Sequence, residues 1–187
     1  MKRLLLIVLP LLLIVGCSSP EPINYETTLV ERDGVYYTQD TNQPYSGPVF
    51  SLDGKGRNKR ESILEDGKMI TYKDLEWYEN GQKKVEQTYK NGERDGLLLE
   101  WYEDGQKKVE QTYKNGERDG LVTVWYENGQ KREKGTSKND KLDGLYTRWY
   151  ENGQKEIEET HKDGKVVELI GRWNEDGIVR KEPFDWE

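Results

Sequence analysis

The sequence predicts an all-β domain, an open single-layer antiparallel β-meander built from 24-residue hairpin repeats. Three observations predict it. Trp77, Trp101, Trp125, Trp149 and Trp173 recur every 24 residues, and Gly81, Gly105, Gly129, Gly153 and Gly177 follow with the same period, the mark of an array in which each repeat is one supersecondary unit. Within each unit two Gly-containing turn signals alternate with two runs of strand length rich in Leu, Val, Trp, Tyr and Thr. Only 33% of the 187 residues are hydrophobic while 35% are charged, yet there are 12 Tyr and 6 Trp, side chains that can build a pleated surface without a large aliphatic interior.

The chain begins with an address. Lys2 and Arg3 precede the apolar run Leu4 to Val15, which ends in Ile14-Val15-Gly16-Cys17 and gives way to Ser18-Ser19-Pro20-Glu21-Pro22. A basic region, a short apolar region and a small-residue site are the parts of a signal peptide. Twelve apolar residues interrupted by Pro10 fall short of the roughly 20 needed to span a bilayer. Residues 1–16 are therefore read as the signal. The Ile-Val-Gly-Cys run resembles a bacterial lipobox, which implies lipidation of Cys17 as the first mature residue and, in a Gram-negative cell, outer-membrane sorting through Ser18. Residues 17–28 then form a lipidated tether.

Residues 29–76 read as a degenerate repeat region. Tyr45-Ser46-Gly47 to Gly67 is a worn copy with Leu52 in the Trp slot and Gly56 in the turn slot, and its phase slips by one residue before Trp77, so a bulge or altered turn is expected there. Residues 77–187 are the regular array with a C-terminal cap. Blocks 77–100 and 101–124 agree at 20 of 24 positions, as internal duplication would leave them.

Two turns define each unit. In Glu103-Asp104-Gly105 and its copies, Gly sits where a positive φ is needed. Asn91-Gly92-Glu93-Arg94-Asp95-Gly96 and its copy at 115–120 read as a longer second turn. For the first turn, a three-residue loop with Gly105 in a bulge pairs Trp101 with Lys107 and Glu100 with Lys108, Glu76 with Lys84 and Arg148 with Glu156. This register sets opposite charges face to face, although Arg172 opposite Arg180 breaks the pattern. It also gathers Leu97, Leu99, Trp101, Val109 and Tyr113 on one face and leaves Leu98, Glu100, Tyr102, Lys108, Glu110 and Thr112 on the other.

Composition excludes several function classes. The formal charge of −7, less the two positive charges of Lys2 and Arg3, leaves −9 on the mature chain, which makes nucleic acid a poor partner. One Cys and one His cannot supply a Cys/His zinc site, a disulfide framework or a Cys-His nucleophile pair. The acids recur with the repeat, as solvated strand faces do, rather than as the isolated pair of a hydrolase. No enzyme, metal or cofactor is expected.

Trp-Tyr-Glu-Asn-Gly-Gln-Lys, then Tyr-Lys-Asn-Gly and Asp-Gly, resembles the bacterial MORN-repeat variant over roughly residues 29–182, and Val35-Tyr36-Tyr37 through Pro44-Tyr45-Ser46-Gly47 is similar to the segment that often precedes such repeats. The resemblance implies the hairpin architecture. Chains of this kind are often labelled antitoxin components of toxin-antitoxin systems, and better-known MORN repeats are associated with membranes and protein assembly. It implies no catalytic residues.

The candidate binding face comprises Trp77, Trp101, Trp125, Trp149, Trp173, Tyr89 and Tyr113. Tryptophans about 10 Å apart on alternate strands could anchor a protein or stack on a cell-wall glycan. The same row could instead be core, with Trp, Leu and Val covering the stems of Lys83, Lys107, Lys131 and Lys155. His161 stands where Tyr89, Tyr113 and Ser137 stand in other repeats, and is read as a structural substitution. The expectation is a non-enzymatic, lipid-anchored, protein-binding scaffold at the bacterial cell envelope. An antitoxin or immunity protein that neutralises a partner toxin is the alternative, with glycan binding behind it.

Overall fold

The computed structural model describes residues 20–180; the signal expected at 1–16 and the lipidation expected at Cys17 lie outside the described residues. Fifteen strands and one short helix follow in order. They are β1 (Ile23–Asn24), α1 (Tyr25–Thr28), β2 (Leu29–Arg32), β3 (Val35–Thr38), β4 (Gly47–Leu52), β5 (Asn58–Glu65), β6 (Lys68–Trp77), β7 (Lys83–Lys90), β8 (Glu93–Trp101), β9 (Lys107–Lys114), β10 (Glu117–Trp125), β11 (Lys131–Lys138), β12 (Lys141–Leu142), β13 (Gly144–Trp149), β14 (Lys155–Lys162) and β15 (Lys165–Arg172). One 13-stranded open sheet takes all of them except β2 and β3, which form a separate hairpin. From β4 onward neighbouring strands are antiparallel and follow the chain, while β1 lies parallel against β4. The expected meander is present.

The first turn is the expected three-residue loop. Tyr102 N–H donates to Gln106 O at 2.9 Å, Gly105 N–H donates to Tyr102 O at 3.0 Å, and Gly105 has φ +87°, a type I turn closed by a bulge at glycine. The second turn is shorter than expected. Asn91 and Gly92, at φ +51° and +84°, alone form the reversal between β7 and β8, because two successive positive-φ residues make the tight turn whose twist matches the strands. Asp95-Gly96 lies within β8, beside a register irregularity against β7.

The predicted charge register is half right. Trp101 does oppose Lys107, but the register then shifts, so that Glu100 opposes Val109 and Leu99 opposes Glu110. A second bulge at Lys108 is the reason. Long side chains still reach across it: Lys108 contacts Glu100 at 3.5 Å, Lys84 contacts Glu76 at 3.1 Å and Arg148 contacts Glu156 at 2.6 Å. The slip before Trp77 is also accounted for, by a register shift between Ile63 and Leu64 against β6.

The compact core sits at the N-terminal end. Tyr25, Leu29, Val49 and Leu64 are buried together, with Ile23, Tyr36, Tyr45 and Met69 packed against them. Residues 23–28, assigned by sequence to the tether, thus belong to the fold: Asn24 caps α1 by accepting from Glu26 N–H, and Tyr25 donates to Ser51 Oγ at 3.2 Å. Val49 and Ser51 share a face with Arg60 and Asp74 through the strand registers. That is the face opposite Trp77, so this N-terminal cluster packs on the side of the sheet away from the tryptophans.

Beyond the core, the repeats are tied edge to edge. Tyr78, Tyr102, Tyr126 and Tyr150 each donate a hydroxyl hydrogen bond to the carbonyl of the next repeat's Trp101, Trp125, Trp149 or Trp173, at 2.7 to 3.0 Å. Asn80, Asn128 and Asn152 likewise donate to Glu103, Glu151 and Glu175 carbonyls. Asp104 occupies that position in the second repeat, and a carboxylate has no proton to donate. Asp104→Asn is therefore expected to add the absent rung, raising stability by about 0.5 kcal/mol and the Tm by roughly 1–2 °C. Calorimetry checks this; an unchanged or lower Tm refutes it.

Candidate functional site

Strand registers divide the candidate residues between two faces. Side chains directly opposite one another across a ladder share a face, and alternate residues of a strand change face. Trp101 opposes Lys107, Trp125 opposes Lys131 and Trp149 opposes Lys155, which places Trp77, Trp101, Trp125 and Trp149 on one face in register with their lysines. Trp173 follows β15 in a bridge to Val179 and lies against Lys155 of the same row. Tyr89 and Tyr113 belong to the other face, with Val109 and Leu98. The predicted grouping of Val109 and Tyr113 with Trp101 fails because the bulge at Lys108 inverts the alternation of every following residue in β9. Tyr89 stacks on Tyr72 with centroids 4.9 Å apart, and Arg94 lies over Tyr113.

The tryptophan face has three parallel rows. All five tryptophans are half-buried, neither interior nor free. Lys83, Lys107 and Lys155 each place Nζ 5.8 Å from the ring centroid of the next repeat's Trp101, Trp125 or Trp173, the lysine contact expected if the row is partly its own cover. The second row holds the anions of the same lysines: Lys83 pairs with Glu86 at 2.7 Å, Lys107 with Glu110 at 2.6 Å and Lys155 with Glu158 at 2.6 Å. Burial pushes the Glu86 carboxyl up, but hydrogen bonds and charge from Lys83 and Lys73 outweigh it and hold the group below its ordinary value. Glu86 is thus a fixed anion. The third row is aliphatic: Leu97, Leu121 and Leu145, 24 residues apart, are 38%, 43% and 51% exposed.

Sequence reasoning missed the lysine-glutamate pairs and the tyrosine rungs. A signal for the pairs exists. In a regular strand residues i and i+3 lie on opposite faces, so a thrice-repeated Lys-x-x-Glu ion pair on one face requires the bulge that the structure shows.

His161 lies on the opposite face, buried, with Nε2 2.7 Å from Glu159 and its ring edge-on to Tyr146. Burial, followed by the charge of Glu133, pushes the Tyr146 phenol up to about 12, so the ring stays neutral near pH 7. This cluster fills the slot of a tyrosine, as expected. Among the described residues no group of three or more His, Cys, Asp or Glu side chains is placed to hold a metal.

The comparisons agree with the geometry. Residues 75–91, 94–115, 118–139 and 142–168 each match the family described as MORN repeat variant. Each match covers strand-turn-strand material of the sheet from β6 to β15. No curated protein matches the chain.

Proposed function

Proceeding from four MORN-variant repeats joined in one sheet, a non-catalytic repeat type, we propose that this is a non-enzymatic scaffold, lipid-anchored at the bacterial cell envelope, that binds a protein partner through its tryptophan face. The observation that carries the reading is the asymmetry of the sheet. The buried cluster of Tyr25, Leu29, Val49 and Leu64 lies on the opposite face, while the half-buried tryptophans flank an exposed leucine row. Apolar surface flanked by aromatic anchors is the composition of binding surfaces rather than of solvated ones. The lipobox-like run ending at Cys17 supports the anchor.

Two experiments test the two halves. Cys17→Ser is expected to move the protein from the detergent phase to the aqueous phase; retention in the detergent phase refutes the lipid anchor. For the face, cells carrying the protein are cross-linked and the captured species identified by mass spectrometry, with Trp125→Ala as one variant and Leu121→Ser with Leu145→Ser as another. The leucine variant changes exposed positions, so it is expected to keep the wild-type Tm within a few degrees while weakening capture by about tenfold or more. Capture unchanged in both variants, or lost only together with thermal stability in both, refutes the binding face.

A further inference from the structure

The third repeat departs from its neighbours at one position on the tryptophan face. Where Glu86, Glu110 and Glu158 stand in the other units, β11 carries Lys134, three residues after Lys131. Its cross-strand neighbours are Thr123 on one side and Thr147 on the other, and neither offers a negative charge. Glu133, next in sequence, is on the opposite face with Arg148 and pairs with Arg132. Neither Lys131 nor Lys134 makes an ion pair among the described residues, in contrast to Lys83, Lys107 and Lys155.

The aromatic row registers the same change. Lys83, Lys107 and Lys155 are each drawn over the next tryptophan while bound to their glutamate. Lys131, with no glutamate to hold it, makes no such contact with Trp149. A cleft of about 390 Å³ opens at this place, lined by Leu121, Lys131, Lys134, Leu145, Trp149 and the Lys155–Glu158 pair, whose charges cancel and leave Lys131 and Lys134 as the excess. Two uncompensated cations here stand out on a chain of net charge −7.

Resting on the protein-binding reading of this face, we propose that the cleft is the specificity site of the scaffold: it takes an acidic peptide segment whose carboxylate bridges Lys131 and Lys134 and whose neighbouring apolar side chains lie along Leu121 and Leu145. The partner's carboxylate occupies the place that Glu86, Glu110 and Glu158 fill in the other repeats. It completes the repeated ion pair and brings Lys131 over Trp149. Charge complementarity selects an anion, and the exposed leucines select a peptide carrying apolar side chains over a bare anion.

The test is an NMR titration of the full-length protein with the capped peptide acetyl-Leu-Glu-Leu-Glu-Leu-amide, its Gln-for-Glu counterpart and an oligogalacturonate, following the tryptophan indole N–H signals. The glutamate peptide is expected to shift the Trp149 indole and the Gln peptide to leave it in place. Lys134→Glu restores the pair found in the other repeats, so it is expected to keep or raise the Tm while weakening the glutamate peptide by about tenfold. Glu110→Lys is expected to build a second such site, so that the Trp125 indole shifts as well. Equal binding of both peptides, no shift of Trp149, or undiminished affinity in Lys134→Glu overturns the proposal. If Lys134→Glu still binds the peptide through Trp149, the charge selection falls while the binding face stands. If oligogalacturonate alone binds, in a Lys134-dependent manner, the site belongs to an acidic glycan and the peptide assignment is overturned.

Discussion

Leu64→Ala is expected to lower the stability of the protein by about 3–4 kcal/mol, near the middle of the range for leucine truncation in a packed interior. Leu64 is fully buried, the least accessible hydrophobic side chain among the described residues, and it packs in one cluster with Tyr25, Leu29 and Val49. The lost transfer energy is compounded by a cavity that a single sheet backed by one small hairpin has few side chains to fill. Elsewhere the buried hydrophobics are single positions, Leu75, Val124 and Ile157, so no second cluster among the described residues compensates. Urea unfolding followed by tryptophan fluorescence measures the loss. A decrease below about 1 kcal/mol would mean that Leu64 is not in a tightly packed interior.

Gly67→Ala is expected to be nearly as damaging, and for a different reason. Gly67 has φ +75°, and a Cβ there would lie 2.5 Å from Val35 Cγ1 and 2.7 Å from the Tyr36 carbonyl oxygen. Its backbone also fastens the β2–β3 hairpin to the sheet, with Tyr36 N–H donating to Gly67 O and Gly67 N–H donating to Tyr45 O, both at 2.8 Å. A side chain must therefore push the hairpin off. Gly92 is the internal control, at φ +84° with nothing within 4 Å of an added Cβ; Gly92→Ala is expected to cost only the local backbone strain of about 1–2 kcal/mol. Gly67→Ala should exceed it by about 2 kcal/mol or more. Equal losses in the two variants would show that the hairpin docks without Gly67.

The periodic part of this fold was legible in the sequence because its determinants are local. A three-residue loop ending in glycine and a tryptophan every 24 residues fix strands and turns without reference to distant groups, whereas the Asn91-Gly92 reversal reads as too long because Asp95-Gly96 carries the same turn composition inside a strand. Parity was not legible. One extra residue at Lys108 inverts the faces of Val109 and Tyr113, and neither residue carries a propensity that reports it; only the Lys107/Glu110 spacing does. The N-terminal segment misled for the opposite reason. Ile23 to Thr28 follows prolines and is largely polar, but Tyr25 and Ile23 are recruited by a distant core whose existence depends on tertiary packing. On the candidate site, the tryptophan row was foreseen and its lysines were named, while the substitution of Lys134 for the repeated glutamate acquires meaning only once the ion pairs of its neighbours are seen.

The tyrosine rung bears on how such a chain can change its length. Tyr102 reaches a backbone carbonyl, Trp125 O, which any residue would supply, and Tyr78 one unit before it and Tyr126 and Tyr150 in the following units do the same. The junction between units is therefore indifferent to which unit comes next. Excision or duplication of one whole 24-residue block leaves every remaining rung with a partner, and it extends or shortens the sheet by two strand spacings, about 10 Å. A gene that slips by one block yields a ruler of a different length rather than a broken protein. The length of the platform can then be adjusted by recombination while the side chains of each graduation stay as they are.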